Sequence, residues 1–546
     1  MRKQKFIFVS GGVISGLGKG ITTAAISLLL KSRGYKITPV KIDMYLNLDA
    51  GTIRPQEHGE VFVTADGVET DQDIGNYERF LNESLKRVNY ITTGQIYAEV
   101  IRKERAFKYE GEDVEAIPHV TDEIIRRIMM AGKENKAEII IIELGGTAGE
   151  YQNGIFFEAS RILKLKYPND VIHIHVSYLP VIKSLGELKS KPTQTSVHIL
   201  NSMGIQPDFL VTRSESPIDQ RRQERLALFC NLYDWQIIDN PDVASIYEVP
   251  LLLEKQNFSA KIIKKLKLKK SDKKDLRDWQ KLISRIKAAQ KEVKVVMVGK
   301  YFRTGSFSLI DSYISVIEAL KHAGWENGIL PKISWVDSEE IEKTGTESLR
   351  GYDGVIVPQG WGSRGTEGKI KTAQFARENK IPYLGLCFGM QMAVIDFARQ
   401  VCGLTNANSA EVNPKTKHPV IHIMADQKKY LEKHQYGGTI RLGNWPCRIL
   451  SGTKLSKAYG KTGIILERHR HRYEFNNRYR QVLEKAGLIV SGISPDGELV
   501  EAIELKEHPF FIGTQFHPEY QSRPLAPHPL FSSFLKACLR EKKGEE

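Results

Sequence analysis

Short apolar runs separated by helix-length segments constrain this chain more than any other feature. Phe6–Ser10 leads into a glycine-rich turn and a helical stretch through Arg33. Lys36–Ile42, Glu138–Glu143, Val171–Ser177, Asp208–Val211 and Trp235–Ile238 repeat the strand theme, with helical segments between. Parallel strands need crossover helices, and strands covered on both faces read as near-continuous apolar runs. The alternation therefore predicts an α/β fold with a mostly parallel sheet. Around residues 257–291 the pattern turns charge-rich and amphipathic, as a linker would. A second α/β series follows: Val293–Gly299, a helix near Ser308–His322, Gly354–Val357, Ile381–Leu386 and Phe510–Phe516. The boundaries expected are 1–270, a linker over 271–291, and 292–546.

With 546 residues, two or more domains can each bury a core. No run approaches the ~18 apolar residues of a membrane helix, and the first strand starts almost at once, without a signal-peptide pattern. Cysteines 230, 387, 402, 447 and 538 show no paired spacing, which points to a reducing, cytoplasmic setting and away from zinc. The net charge of +14 is concentrated partly in the lysine run from Lys261 to Lys274, read as a solvated helix face and linker. No aromatic platform accompanies it, so neither nucleic acid nor membrane is expected as a partner.

Two motifs carry chemistry. Gly11-Gly12-Val13-Ile14-Ser15-Gly16-Leu17-Gly18-Lys19-Gly20 follows the first strand. It departs from the Walker A pattern, since Gly20 stands where Ser or Thr would follow the lysine. The physical logic survives: glycines admit backbone N–H groups to phosphate oxygens, a helix N-terminus follows, and Lys19 adds charge. Asp71, Asp73 and Glu143 are the acidic candidates for a metal; Glu143 closes a buried strand, where open α/β sheets bind ligands.

The other motif is Gly385-Leu386-Cys387-Phe388-Gly389, a strand running into a helical stretch, Met390 to Arg399. Such a tight turn exposes the side chain at its tip, and a helix N-terminus favours thiolate. In Gln515-Phe516-His517-Pro518-Glu519, a continuing strand would put His517 and Glu519 on one side. Glu519 would then orient the imidazole whose other nitrogen faces Cys387. His173 and His175 alternate with Ile in a buried-looking strand and read as structural.

With these residues in hand, the chain resembles the CTP synthase family over about residues 5 to 535. The resemblance rests on Ser10–Val13 with Gly18-Lys19-Gly20, His58–Val63, Tyr77–Phe80, Arg102–Arg105, Lys191–Gln194, Asn406–Ser409, Glu467–Glu474 and His517-Pro518-Glu519. The second half resembles a class I glutamine amidotransferase domain, the first a synthetase domain. The resemblance implies that ATP phosphorylates the 4-oxygen of UTP, and that ammonia from glutamine, passed internally, displaces the phosphate to give CTP, ADP and phosphate. This would be the last step of de novo pyrimidine nucleotide synthesis.

Carried over by resemblance, Gly16, Leu17, Gly18, Lys19, Gly20 and Ile21 would cradle ATP, with Asp73, Asp242 and Val243 also at that site. Asp73 and Glu143 would hold Mg²⁺. Ser15, Lys189, Ser190, Lys191, Pro192, Thr193, Gln194 and Arg225 would grip UTP or CTP, with Lys41 a further phosphate-facing lysine. Glu150, Tyr151 and Gln152 replace the family's Asp-Ile-Glu in the segment that binds inhibitory CTP. Cys387, His517 and Glu519 would be catalytic, and Gly360, Phe388, Gly389, Met390, Gln391, Glu411 and Arg472 would recognise glutamine. GTP activation, a homotetramer and filament formation are also implied.

The family carries glycine where Gln359 stands, at a backbone N–H of the oxyanion hole; glutamine there is strained if the position needs a positive φ. Two alternatives stay open on sequence: a divergent paralogue aminating another pyrimidine nucleotide or using free ammonia, and a nucleotide-responsive filament protein with decayed catalysis.

Overall fold

The computed structural model describes residues 4–182, 184, 186–269, 271, 273–304, 307–424, 427 and 438–544. The chain forms two compact units: Met1–Asp49 with Asn76–Ile283, and Ala50–Gly75 with Ser284–Glu546. A boundary drawn along the chain near residue 270 leaves 50–75 in the first half; in space this segment packs with the second. Its ties there are specific. Glu60 N–H donates to the Asp311 carbonyl at 3.0 Å, Tyr520 Oη to the Val61 carbonyl at 3.0 Å, and Arg470 Nε to Glu69 Oε1 at 2.7 Å.

The first unit is built on a seven-stranded sheet, all of whose pairings are parallel. Its strands are β1 (Lys5–Gly12), β2 (Ile37–Asp43), β3 (Tyr90–Thr92), β4 (Ile139–Leu144), β5 (Val171–Tyr178), β6 (Phe209–Ser214) and β7 (Ile237–Pro241). Their spatial order is β7-β6-β5-β1-β4-β2-β3. The chain leaves β1 in the middle of the sheet, skips the place β4 will fill, and forms β2. β5, the other neighbour of β1, connects in the opposite direction to β6, and this reversal of winding opens a crevice at the strands' C-terminal ends, where the glycine-rich turn sits before helix α1 (Lys19–Ser32). Every residue of β4, Ile-Ile-Ile-Ile-Glu-Leu, is buried, as an interior parallel strand requires. Helix α2 (Lys191–Ser202) begins within the candidate nucleotide-gripping run, with Lys191–Gln194 as its first turn.

The second unit carries a nine-stranded sheet: β8 (Lys291–Gly299), β9 (Ile329–Asp337), β10 (Gly354–Val357), β11 (Tyr383–Leu386), β12 (Arg441–Ile449), β13 (Gly463–His471), β14 (Leu488–Ile493), β15 (Val500–Leu505) and β16 (Phe511–Thr514). The order is β9-β8-β10-β11-β16-β15-β14-β12-β13. Pairings are parallel from β9 to β16 and antiparallel beyond. Helices α3 (Thr366–Glu378) and α4 (Phe388–Gln400) flank the parallel part. Two apolar clusters form this unit's core, one including Val355, Phe388 and Phe511, the other Ile356, Leu384 and Ile512. Neighbouring residues of one strand thus feed opposite faces.

The region read as linker contains helical stretches at Phe258–Lys265 and Arg277–Ala288. Among the described lysines there, Lys265 pairs with Asp208 at 2.9 Å and Lys274 with Glu254 at 3.0 Å. Among the described residues no helix is long and apolar enough to cross a membrane.

Candidate active sites

Cys387 sits between β11 and α4 with φ 51° and ψ −100°, a strained conformation for a residue with a Cβ. The strain is held by close packing beneath the turn. A Cβ on Gly389 would lie 1.9 Å from the Val357 carbonyl oxygen, and one on Gly385 would lie 2.8 Å from the Gly389 carbonyl carbon. Only glycine lets α4 approach the sheet this closely. Cys387 N–H donates to the Thr514 carbonyl at 2.6 Å, which ties the turn to β16.

His517 Nδ1 lies 2.7 Å from Glu519 Oε1, and both side chains are buried. The strand-alternation route expected for this pair is not the one taken. β16 ends at Thr514, and Pro518–Gln521 forms a 3₁₀ turn that brings Glu519 back under the ring. Burial opposes the imidazolium, but the Glu519 carboxylate and then the Cys387 sulfur outweigh it and raise His517 to about 10. The His517 ring stacks on Tyr520 at 5.0 Å.

Cys387 opens into a small pocket lined by Gln359, Gly360, Trp361, Phe388, Gln391, Glu411, Arg470, His471, Arg472, Tyr473 and His517. Of the residues expected around glutamine, Gly360, Phe388, Gln391, Glu411 and Arg472 line it. Gly389 and Met390 do not: Gly389 lies against Val357, and Met390 packs on Gly513. Glu411 accepts from Gly362 N–H at 2.7 Å, and burial raises its carboxyl against the pull of that bond, Lys300 and Arg472. A carboxylate so enclosed suits an ammonium group. Gln391 Nε2 donates to the Tyr473 carbonyl at 2.9 Å and to Gln515 Oε1 at 3.2 Å, while Gln515 Nε2 reaches Cys387 Sγ at 3.5 Å.

Gln359 is absent from the positive-φ positions, so the strain anticipated there does not arise. Among the described residues, neither Gln359 N–H nor Gly360 N–H has a protein acceptor. With the N–H of Phe388 at the start of α4, they are donors available to a developing oxyanion beside Cys387. Lys300 and Lys369, which no sequence motif signalled, lie with their ammonium nitrogens 4.6 Å and 5.4 Å from the centre of the Phe388 ring.

In the first unit, positive φ at Val13, Gly16 and Gly18 shapes the turn after β1, and Lys19 Nζ donates to the Gly146 carbonyl at 2.7 Å. At the ends of the neighbouring strands, Lys41 Nζ donates to Glu143 Oε1 at 2.9 Å and lies 3.6 Å from Asp43, while Tyr77 donates to Glu143 Oε2. Arg213, also missed in the sequence, links the turn to the Asp242 segment. It donates to the Leu17 carbonyl at 3.2 Å, the Asn240 carbonyl at 2.6 Å and Asp242 at 2.6 Å. The run Lys189–Gln194 leads into α2, which His175 ties to β1 by bridging Ser10 at 2.9 Å and Ser196 at 2.8 Å. Burial drives His175 down to about 3, so the bridge is a neutral ring. Arg225 lies over Phe229, Tyr151 is fully exposed, and Glu150 caps Thr147 at 2.7 Å. Asp73 falls in the second unit, where its N–H donates to Asp71 at 2.8 Å.

A Cys–His–Glu constellation on a strand-to-helix elbow, joined in one chain to a parallel-sheet unit with a phosphate-type turn, defines a glutamine amidotransferase coupled to a nucleotide-dependent partner activity. Residues 308–537 match the family model for glutamine amidotransferase class-I, and residues 5–268 match that for the CTP synthase N-terminus. The chain is 52% identical over 540 residues to a CTP synthase of Caldanaerobacter subterraneus, covering 98% of this chain and 99% of the relative. It is 51% identical to that of Carboxydothermus hydrogenoformans, with 99% of each covered, and 50% identical to that of Clostridium kluyveri, with 98% and 99% covered. The chain belongs to the CTP synthase family.

Proposed function

We propose that this chain converts UTP to CTP at the expense of ATP, using ammonia released from glutamine. The observation that carries the reading is the Cys387–His517–Glu519 geometry in a chain whose family membership spans nearly its whole length. Protonated His517 faces the Cys387 sulfur, which attacks the glutamine amide carbon. The backbone N–H groups of Gln359, Gly360 and Phe388 receive the charge that develops on the carbonyl oxygen. The imidazolium gives its proton to the departing nitrogen, releasing ammonia and leaving a thioester. The neutral ring then takes a proton from water, which attacks the thioester and frees glutamate. Glu411 is placed for the α-ammonium group of glutamine, with Arg472 for its carboxylate.

In the first unit, ATP lies along the turn from Gly16 to Ile21, with Lys19 on its phosphates and Arg213 fixing the turn against Asp242. Ser15, Lys189–Gln194 and Arg225 serve UTP. Phosphoryl transfer turns the pyrimidine 4-oxygen into a leaving group that ammonia displaces. Carboxylate oxygens are the donors magnesium takes, and Glu143, at the end of β4 beside the strand that carries Lys41, would hold the ion. Bound there, magnesium would neutralise phosphate charge during transfer. Family membership also supports GTP activation, CTP feedback through the segment at Glu150–Gln152, and a tetramer that stacks into filaments. Five unpaired cysteines favour a cytoplasmic setting.

Cys387→Ala tests the division of labour. CTP formation with glutamine should vanish while formation with ammonium persists. Survival of glutamine-dependent synthesis would remove Cys387 as nucleophile.

A further inference from the structure

Lys369 is fully buried on α3, and its Nζ donates to two successive backbone carbonyls, Pro358 at 2.7 Å and Gln359 at 3.2 Å. Tyr313 Oη adds a second donor to the Gln359 carbonyl at 3.3 Å. These carbonyls belong to the peptide units whose other ends are the N–H groups of Gln359 and Gly360. Both peptides are trans, and in a trans peptide C=O and N–H point in opposite directions. Holding the carbonyls toward Lys369 therefore aims both N–H groups away from it. Gln359 and Gly360 line the pocket that contains Cys387, and neither N–H has a protein acceptor among the described residues. Gly360 makes the approach possible: a Cβ there would lie 2.7 Å from Lys300 Cε and 3.3 Å from Lys369 Nζ.

We propose that Lys369 is a positioning residue for glutamine hydrolysis, fixing the peptides 358–359 and 359–360 so that their N–H groups receive the oxyanion formed on attack by Cys387. The two peptides have no regular secondary structure of their own, since β10 ends at Val357. A peptide plane without such support can rotate, and a rotated plane offers an oxygen lone pair to the oxyanion instead of a proton. The lysine also polarises each peptide by bonding its oxygen, which strengthens the opposite N–H as a donor. Lys369 acts through these groups, not on the substrate. The inference rests on the glutaminase reading of this pocket.

The test uses the full chain with two substitutions. Lys369→Met keeps the length and apolar stem but removes the donor; Lys369→Gln keeps an N–H donor. Losing a whole oxyanion donor lowers kcat by about 10²–10³, so loosening two of them should lower kcat for glutamate release by about 10- to 100-fold in Lys369→Met. KM for glutamine should stay within about threefold, and Lys369→Gln should recover part of the loss. Alkylation of Cys387 by iodoacetamide, followed by mass spectrometry, needs the sulfur but builds no oxyanion. Its rate in Lys369→Met should stay within about threefold of the parent. An unchanged kcat in Lys369→Met, an equal loss of alkylation, or no recovery in Lys369→Gln would overturn the proposal while leaving the glutaminase reading intact. Absence of glutamine hydrolysis by the unsubstituted chain would refute that reading and the proposal with it.

Discussion

Replacing Glu519 by glutamine isolates the charge that organises the thiol site. The carboxylate lies 2.7 Å from His517 Nδ1, and its side chain has no exposed surface. Burial alone would push His517 below its ordinary value; Glu519 and Cys387 together lift it to about 10. Removing one partner of a buried pair typically costs about 3–5 kcal/mol. At about 1.4 kcal/mol per tenfold, that corresponds to a fall of roughly 10²–10⁴ in turnover if the loss falls on the transition state. Glutamate release should therefore drop by about that factor between pH 7 and 9 in Glu519→Gln. The variant's own activity should depend on a group titrating well below 10. The same substitution has a stability signature. A histidine whose folded value is raised above its unfolded one stabilises the fold fully below about 6.5, and this is lost as pH rises through about 10. The melting-temperature gap between parent and variant should be widest below pH 6.5 and close toward pH 10. Activity within about threefold of the parent across this range, with a pH-independent gap, would refute the assignment of Glu519 as orienter.

Two further substitutions test the scaffold. Gly389→Ala would place a Cβ 1.9 Å from the Val357 carbonyl oxygen; overpacking of this kind costs about 1–3 kcal/mol or more. It should lower the unfolding midpoint of the second unit and abolish glutamine hydrolysis. Glu69→Gln leaves Arg470 without its carboxylate partner at 2.7 Å. Because the pair is buried, denaturant unfolding should show a loss of about 3–5 kcal/mol, with weaker glutamine use because Arg470 lines the pocket.

The first sheet's longer strands and β8, β10, β11 and β16 of the second were legible because interior parallel strands must be apolar throughout, as the isoleucines of β4 are. β9 and the antiparallel β12–β15 were not, because polar residues interrupt their runs, as Glu501 and Glu504 do in β15. β3 was not, since three residues leave too short a pattern. The elbow could be read from Gly385-Leu386-Cys387-Phe388-Gly389, where two glycines flank a nucleophile. The His517–Glu519 pair was legible as a spacing but not as a geometry, because a 3₁₀ turn and not strand alternation makes the contact. Lys300, Lys369 and Arg213 left no trace in the sequence. Their partners are mostly backbone carbonyls, and such acceptors exist in every residue. The packing of residues 50–75 with the second unit was equally hidden, for its ties are ion pairs and carbonyl bonds spanning hundreds of residues.

Nitrogen freed at Cys387 should end on the pyrimidine ring. Incubating the full chain with UTP, ATP, Mg²⁺ and glutamine labelled with ¹⁵N in its side-chain amide, then analysing the nucleotides by mass spectrometry and NMR, measures this directly. The expected product is CTP carrying ¹⁵N in its 4-amino group, with one ADP and one phosphate formed per CTP. Unlabelled CTP, or glutamate release with no exchange of the 4-oxygen, would contradict this transfer.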